Sequence, residues 1–221
     1  MSSHRRLAAV VAALAAVILL TSPALAAKWE FGFTSSGTSA SAQTETVCTD
    51  NGDGTSTCTS TGVFVFAGKS RELGTPTVHT EQVCYNESSN TFDNETGEPI
   101  SFTGLFGCAD TDAISVDNLS LITLAPTEIS LVEFACDVES CTEEPDGTVV
   151  VAGTWTGIGP IVSQTSMNRL DDGLCVQVDS QRGMFRQAEF SGTVDGDPLA
   201  TEFADVSEGT FSFRTTCVFE E

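Results

Sequence analysis

Basic side chains are scarce in this sequence. Only two lysines are present, Lys28 and Lys69, and only two histidines, His4 and His79. There is no G-x-S-x-G elbow and no H-E-x-x-H pair, so the usual serine-hydrolase and zinc-protease constellations are missing. His79 stands in an alternating run, where a lone histidine reads as structural. No C-x-x-C pair occurs, which argues against a thiolate zinc site. No segment carries a sustained i, i+3, i+4 apolar pattern with helix caps, so helices are not expected. After Leu20 no apolar run is long enough to cross a membrane as a helix.

The N-terminus reads as an export signal. His4, Arg5 and Arg6 form a basic region, and Leu7–Leu20 is an uninterrupted apolar stretch. Thr21-Ser22-Pro23 breaks that stretch, and Ala24-Leu25-Ala26 is a small-x-small cleavage site. The mature chain is expected to begin at Ala27 and to work outside the cell. The apolar stretch has fourteen residues, short of the roughly 20 that a membrane span needs.

All eight cysteines follow the signal: Cys48, Cys58, Cys84, Cys108, Cys136, Cys141, Cys175 and Cys217. An even count in an exported chain predicts four disulfides. The turn Asp50-Asn51-Gly52-Asp53-Gly54 would centre a hairpin on Asp53 and set Cys48 opposite Cys58.

Residues 27–221 carry seven basic against 31 acidic side chains, a formal charge of −24. Such a surface repels nucleic acid and anionic lipid and suits a basic partner or a cation. Calcium ligation by turn acids such as Asp110/Asp112, Asp171/Asp172 or Asp195/Asp197 is one reading that favours no specific site, and Asp50–Gly54 fails the spacing of a calcium loop because Gly52 and Gly54 occupy ligand positions. Turn chemistry alone also explains acids beside Gly and Pro.

The periodicity is that of strands. Trp29, Phe31 and Phe33 alternate onto one face. Thr34–Ala42 reads as a loop or a polar edge strand. Val63–Ala67 reads as a strand buried on both faces. Thr75–Tyr85, Ile100–Cys108, Ala113–Leu124, Thr127–Cys136, Val149–Trp155, Leu174–Val178 and Phe185–Val194 read as further strands. The last runs through Phe211, Phe213 and Cys217. Asn86–Pro99 reads as a long surface loop, and Glu143–Gly147 as a turn. The fold expected is all-β: a disulfide-stapled barrel or two-sheet sandwich of about ten strands in a single domain, 27–221.

Two stretches echo each other. Val63–Val78 and Val149–Val162 both open on an apolar run ending in Ala-Gly, with a second Gly six residues on and then Pro and Val. Two similar halves, about 38–126 and 127–221, are therefore expected. A repeat-based disulfide scheme pairs Cys84 with Cys136 and Cys108 with Cys141. A nearest-neighbour scheme pairs Cys84 with Cys108 and Cys136 with Cys141. Both schemes contain Cys48–Cys58 and Cys175–Cys217. The residues in which the two stretches differ include Trp155, the residue singled out as a ligand contact.

Gly153-Thr154-Trp155 and the turn after it resemble the G-x-W of calycin barrels, although here the motif stands mid-chain. That resemblance implies an eight-stranded barrel holding a ligand. Asn86, Asn94 and Asn118 each open an N-x-[ST] sequon and are candidate glycan sites. Among carboxylates, Glu133 and Glu189 fall on strands. The function expected is a non-catalytic extracellular binding, surface or matrix module with an unidentified ligand and no cofactor. The alternative is an extracellular hydrolase that uses carboxylates.

Overall fold

The computed structural model describes residues 27–137 and 140–219, and the expected signal peptide, Met1–Ala26, lies outside them. Among the described residues there are strands and turns and no helix. The strands are β1 (Ala27–Gln43), β2 (Val47–Asp50), β3 (Thr55–Glu72), β4 (Val78–Asp93), β5 (Pro99–Asp110) and β6 (Ile114–Asp117). They continue with β7 (Leu121–Cys136), β8 (Cys141–Gly157), β9 (Val162–Asp171), β10 (Cys175–Val194), β11 (Asp197–Pro198) and β12 (Phe203–Phe219).

Closure organises the molecule. β1 pairs with β12 along its whole length and with β3 over Phe33–Gln43. From β3 the pairing passes through β4, β5, β7, β8 and β10 and returns to β12. Eight antiparallel strands thus form a ring in the order in which the chain makes them, the topology of an up-and-down barrel. Strands β2, β6, β9 and β11 pair outside the ring. Thr34–Ala42 is therefore neither loop nor edge, because it is hydrogen-bonded on both sides within β1. Its small residues allow that. Gly68, Gly37, Gly209 and Gly183 lie side by side across β3, β1, β12 and β10. A Cβ on Gly37 would sit 2.6 Å from the Ala67 carbonyl oxygen and 2.7 Å from the Gly68 Cα. The Phe66 ring caps this pair on the outer face.

A single closed sheet has one inside, which corrects the reading of Val63–Ala67 as buried on both faces. Val63 and Val65 are buried, but Phe64 points outward and is 42% exposed. Register carries the core from strand to strand: Val65 lies opposite Ala40 and Val83, Ala40 opposite Val206, and Trp155 opposite Ile122 and Phe190. Ile129, Val149 and Val151 complete the filling.

Several element boundaries differ from expectation. Asn86–Asp93 is not a loop but the second half of β4. There it pairs with Thr55–Gly62, and hydroxyls bond across at Ser60/Ser88 and Thr57/Thr91. Polar on both faces, this segment gives no alternating signal. Ala113–Leu124 is a short hairpin of β6 and β7, reversed at Asn118 with φ 49°. Ala125-Pro126 is a register shift inside β7, and Glu143–Gly147 lies within β8 opposite a second one. The chain reverses instead near Asp137 and Ser140. Val162–Asp171 is a further strand, β9.

All four disulfides join directly opposed residues on paired strands: Cys48–Cys58, Cys84–Cys108, Cys136–Cys141 and Cys175–Cys217. The repeat-based pairs Cys84–Cys136 and Cys108–Cys141 are overturned. In a meander the next strand in sequence is the next strand in space, and β5 stands between β4 and β7. The proposed boundary between the halves, 126/127, falls inside β7.

Tyr85, the one tyrosine in the chain, faces the core and donates to Glu87 Oε2 at 3.2 Å. Burial, then the Glu87 charge, pushes its hydroxyl from 10.0 up to about 12. The neutral phenol is the form the fold favours. Its contribution is complete below the unfolded value of 10.0 and is lost as pH rises through that value toward about 12. Ultraviolet absorbance should show one tyrosinate transition near 12, moving to about 10 in denaturant. A native midpoint at the ordinary value would contradict this packing.

Candidate ligand-binding cup

The inward alternation does not stop where the apolar core stops. On β3 the inward series Val63, Val65, Ala67 continues as Lys69 and Arg71. On β10 it runs back from Ala188 through Arg186 and Met184 to Arg182. On β12 it passes from Val206 to Glu208, Thr210 and Arg214, and on β1 from Ala40 to Thr38 and Ser36. Register fixes the shared face: Ser36 is opposite both Lys69 and Thr210, and Arg182 is opposite both Thr210 and Thr165.

At this end β8 has already finished at Gly157, and β9 takes its place beside β10. Six strands, β9-β10-β12-β1-β3-β4, continue past the filled core and curl around an open concavity of about 730 Å³. Its walls carry Lys69, His79, Glu81, Arg182, Glu208 and hydroxyls from β1, β9 and β12.

The charge distribution is lopsided. Six of the chain's nine basic residues take inward positions on these strands: Lys69, Arg71, Arg169, Arg182, Arg186 and Arg214. Of the others, Arg5 and Arg6 belong to the expected signal, and Lys28 stands at the start of β1. By the same alternation six acids share the inward face of these strands, Glu30, Glu81, Glu87, Asp93, Asp171 and Glu208, and of these Glu81 and Glu208 line the concavity. Arg214 pairs with Glu30, and Arg169 with Asp171 at 3.3 Å. Arg186 donates to the Gly159 carbonyl at 2.9 Å, and Arg71 to the Thr75 carbonyl at 3.2 Å. Among the described residues, Lys69 and Arg182 have neither a hydrogen-bond nor an ion-pair partner, although acids outnumber bases more than threefold. The outer face of the same sheet is different in kind. A groove of about 360 Å³ there has Gly37, Gly183 and Gly209 in its lining with Phe66, Phe185 and Phe211.

The residues picked out from sequence lie elsewhere. Trp155 is 0% exposed, its ring 4.7 Å from Phe190 and its Nε1 donating to the Ser41 carbonyl at 2.9 Å. It presents no surface to a ligand in the cup. Asn86, Asn94 and Asn118 are exposed, but Asn86 is on β4 with its amide lying over Gly62. The turn acids serve their own turns. Asp53 accepts from Thr55, Asp93 from Glu95 and Thr96, and Asp172 from Leu174 and Cys175. These bonds hold the three carboxyls below their ordinary value. Glu133 is exposed opposite Glu144. Glu189 faces outward and shares a shallow groove of about 330 Å³ with Glu202 and Phe203. Sequence reasoning missed the cup itself, though its signal was legible in the spacing of Val65, Ala67, Lys69 and Arg71.

Fold and site define the class: an all-β protein whose sheet closes on itself, filled at its middle, open at one end where charged and hydroxyl side chains line it, and stapled by cross-strand disulfides of the kind found in extracellular proteins. No protein-family model matches the chain, and no curated protein matches its sequence.

Proposed function

We propose that this is a secreted, non-catalytic binding module, exported through Met1–Ala26, with the cup as its ligand site. One observation carries the reading: Lys69 and Arg182, unpaired in a chain of 31 acids, line one open concavity. Both side chains are exposed, and with no acid bonded to them they stay available to an anion that enters the concavity. A carboxylate hydrolase would draw on Glu81 and Glu208 in the cup or on Glu189 and Glu202 in the outer groove. All four are exposed, whereas a general-acid carboxyl needs a desolvated site.

The test is retention of the mature protein on an array of extracellular polymers and small acids, with hydrolysis followed on the same array. Binding without turnover is expected, and it should disappear in Lys69→Ala/Arg182→Ala while the thermal midpoint is kept. Turnover abolished by Glu81→Gln, Glu208→Gln or Glu189→Gln would replace this reading with the hydrolase.

A further inference from the structure

We infer that the cup takes a small hydroxylated anion of the sugar-acid class, one carboxylate on a polyhydroxylated body. This rests on the proposal that the cup is the binding site. The overall charge of −24 points to a basic partner, but the concavity itself is balanced, with Lys69 and Arg182 beside Glu81 and Glu208 and with His79 opposite Lys69. An anion can therefore approach Lys69 and Arg182 there, while Arg214 and Arg169, farther along the strands, are paired with Glu30 and Asp171.

Each lining group asks for something particular. Lys69 and Arg182 are donors without an acceptor, and a carboxylate supplies a charge-assisted bond to either. Glu81 and Glu208 accept only, so a ligand beside them must bring donors, as sugar hydroxyls do. Thr38, Thr165 and Thr210 can serve either way. No Phe, Tyr or Trp lines the concavity, so there is no stacking platform for a nucleobase or an aromatic ligand. A long polyanion is disfavoured, because most of its length would run over the acidic exterior. The volume, about 730 Å³, suits a ligand of one to a few sugar rings.

The probes are sodium glucuronate, glucose (hydroxyls without the charge) and sodium sulfate (charge without the hydroxyls). They are titrated into the mature protein and followed by amide chemical shifts. Glucuronate should saturate, with shifts clustered at Lys69, Thr165, Arg182 and Thr210. Glucose and sulfate should each bind about tenfold more weakly or worse, as loss of one charge-assisted contact predicts. Lys69→Ala and Arg182→Ala should each weaken glucuronate by a similar factor, and added salt should weaken it further. Glucose binding as well as glucuronate, or shifts clustering at Phe66, Phe185 and Phe211, would overturn the inference. If glucuronate fails while another array member needs Lys69 and Arg182, the ligand class falls and the binding module stands. If nothing on the array depends on those two residues, both fall.

Discussion

Trp155→Ala should cost about 3–5 kcal/mol, the range for deleting a core aromatic. The residue sits where three strands of the ring meet, opposite Ile122 of β7 and Phe190 of β10. Its indole also reaches across the interior, with Nε1 bonded to the Ser41 carbonyl of β1. Truncation therefore removes a filled volume and a bond between opposite walls of the barrel. The Phe190 ring loses its partner at 4.7 Å and cannot fill the space alone, since it already lies against Gly153 and Gly192. Urea melts should show a large fall in midpoint with little change in slope. Trp155→Phe should recover much of the loss, lacking the hydrogen bond, worth about 1 kcal/mol, and part of the volume. A loss under about 1 kcal/mol for the alanine variant would mean that the barrel's middle is not packed as described.

Removing Cys175–Cys217 should be the most damaging single disulfide loss, at about 4 kcal/mol in the chain-entropy account. The stabilisation grows with the loop closed, and this bridge spans a sequence separation of 42, against 24 for Cys84–Cys108, 10 for Cys48–Cys58 and 5 for Cys136–Cys141. The same account gives about 3.5, 2.7 and 2 kcal/mol for those three. Place reinforces length: Cys217 is buried, whereas Cys141 is exposed. The bridge ties β10 to β12, two of the six strands that form the cup. Paired Cys→Ala variants, each melted with the other bridges intact, should follow this order. A Cys136/Cys141 double variant more damaged than the Cys175/Cys217 one would show that the native state, and not the unfolded chain, sets the ranking.

Bridge positions also correct the comparison of the halves. Thr127–Cys136 and Gly209–Cys217 are both polar and apolar mixtures ending in Cys, and aligning Cys136 with Cys217 on that likeness yields the repeat-based pairs, which the fold does not make. In the ring, Cys48–Cys58 and Cys136–Cys141 each clip a hairpin leading into an Ala-Gly strand, β3 or β8. Cys84–Cys108 and Cys175–Cys217 each tie together strands that follow in the ring. The error arose because Thr-rich runs ending in Cys look alike, whatever strand they pair with.

The sequence by itself determined the all-β class, the hairpin about Asp53 with its Cys48–Cys58 bridge, and the alternation of Thr75–Tyr85 that makes Val83 core. These follow from period-two patterning and turn chemistry, which are local. Only the tertiary structure decided that β1 closes the ring between β12 and β3, that Asn86–Asp93 is strand, that Trp155 is enclosed, and that Lys69 and Arg182 face one concavity. A strand's pattern states which side is apolar. It does not state which strand lies beside it, nor whether the sheet closes. Those depend on backbone pairing between residues as far apart as Lys28 and Val218, and it is that closure which turns an alternating row of basic residues into the wall of a cup.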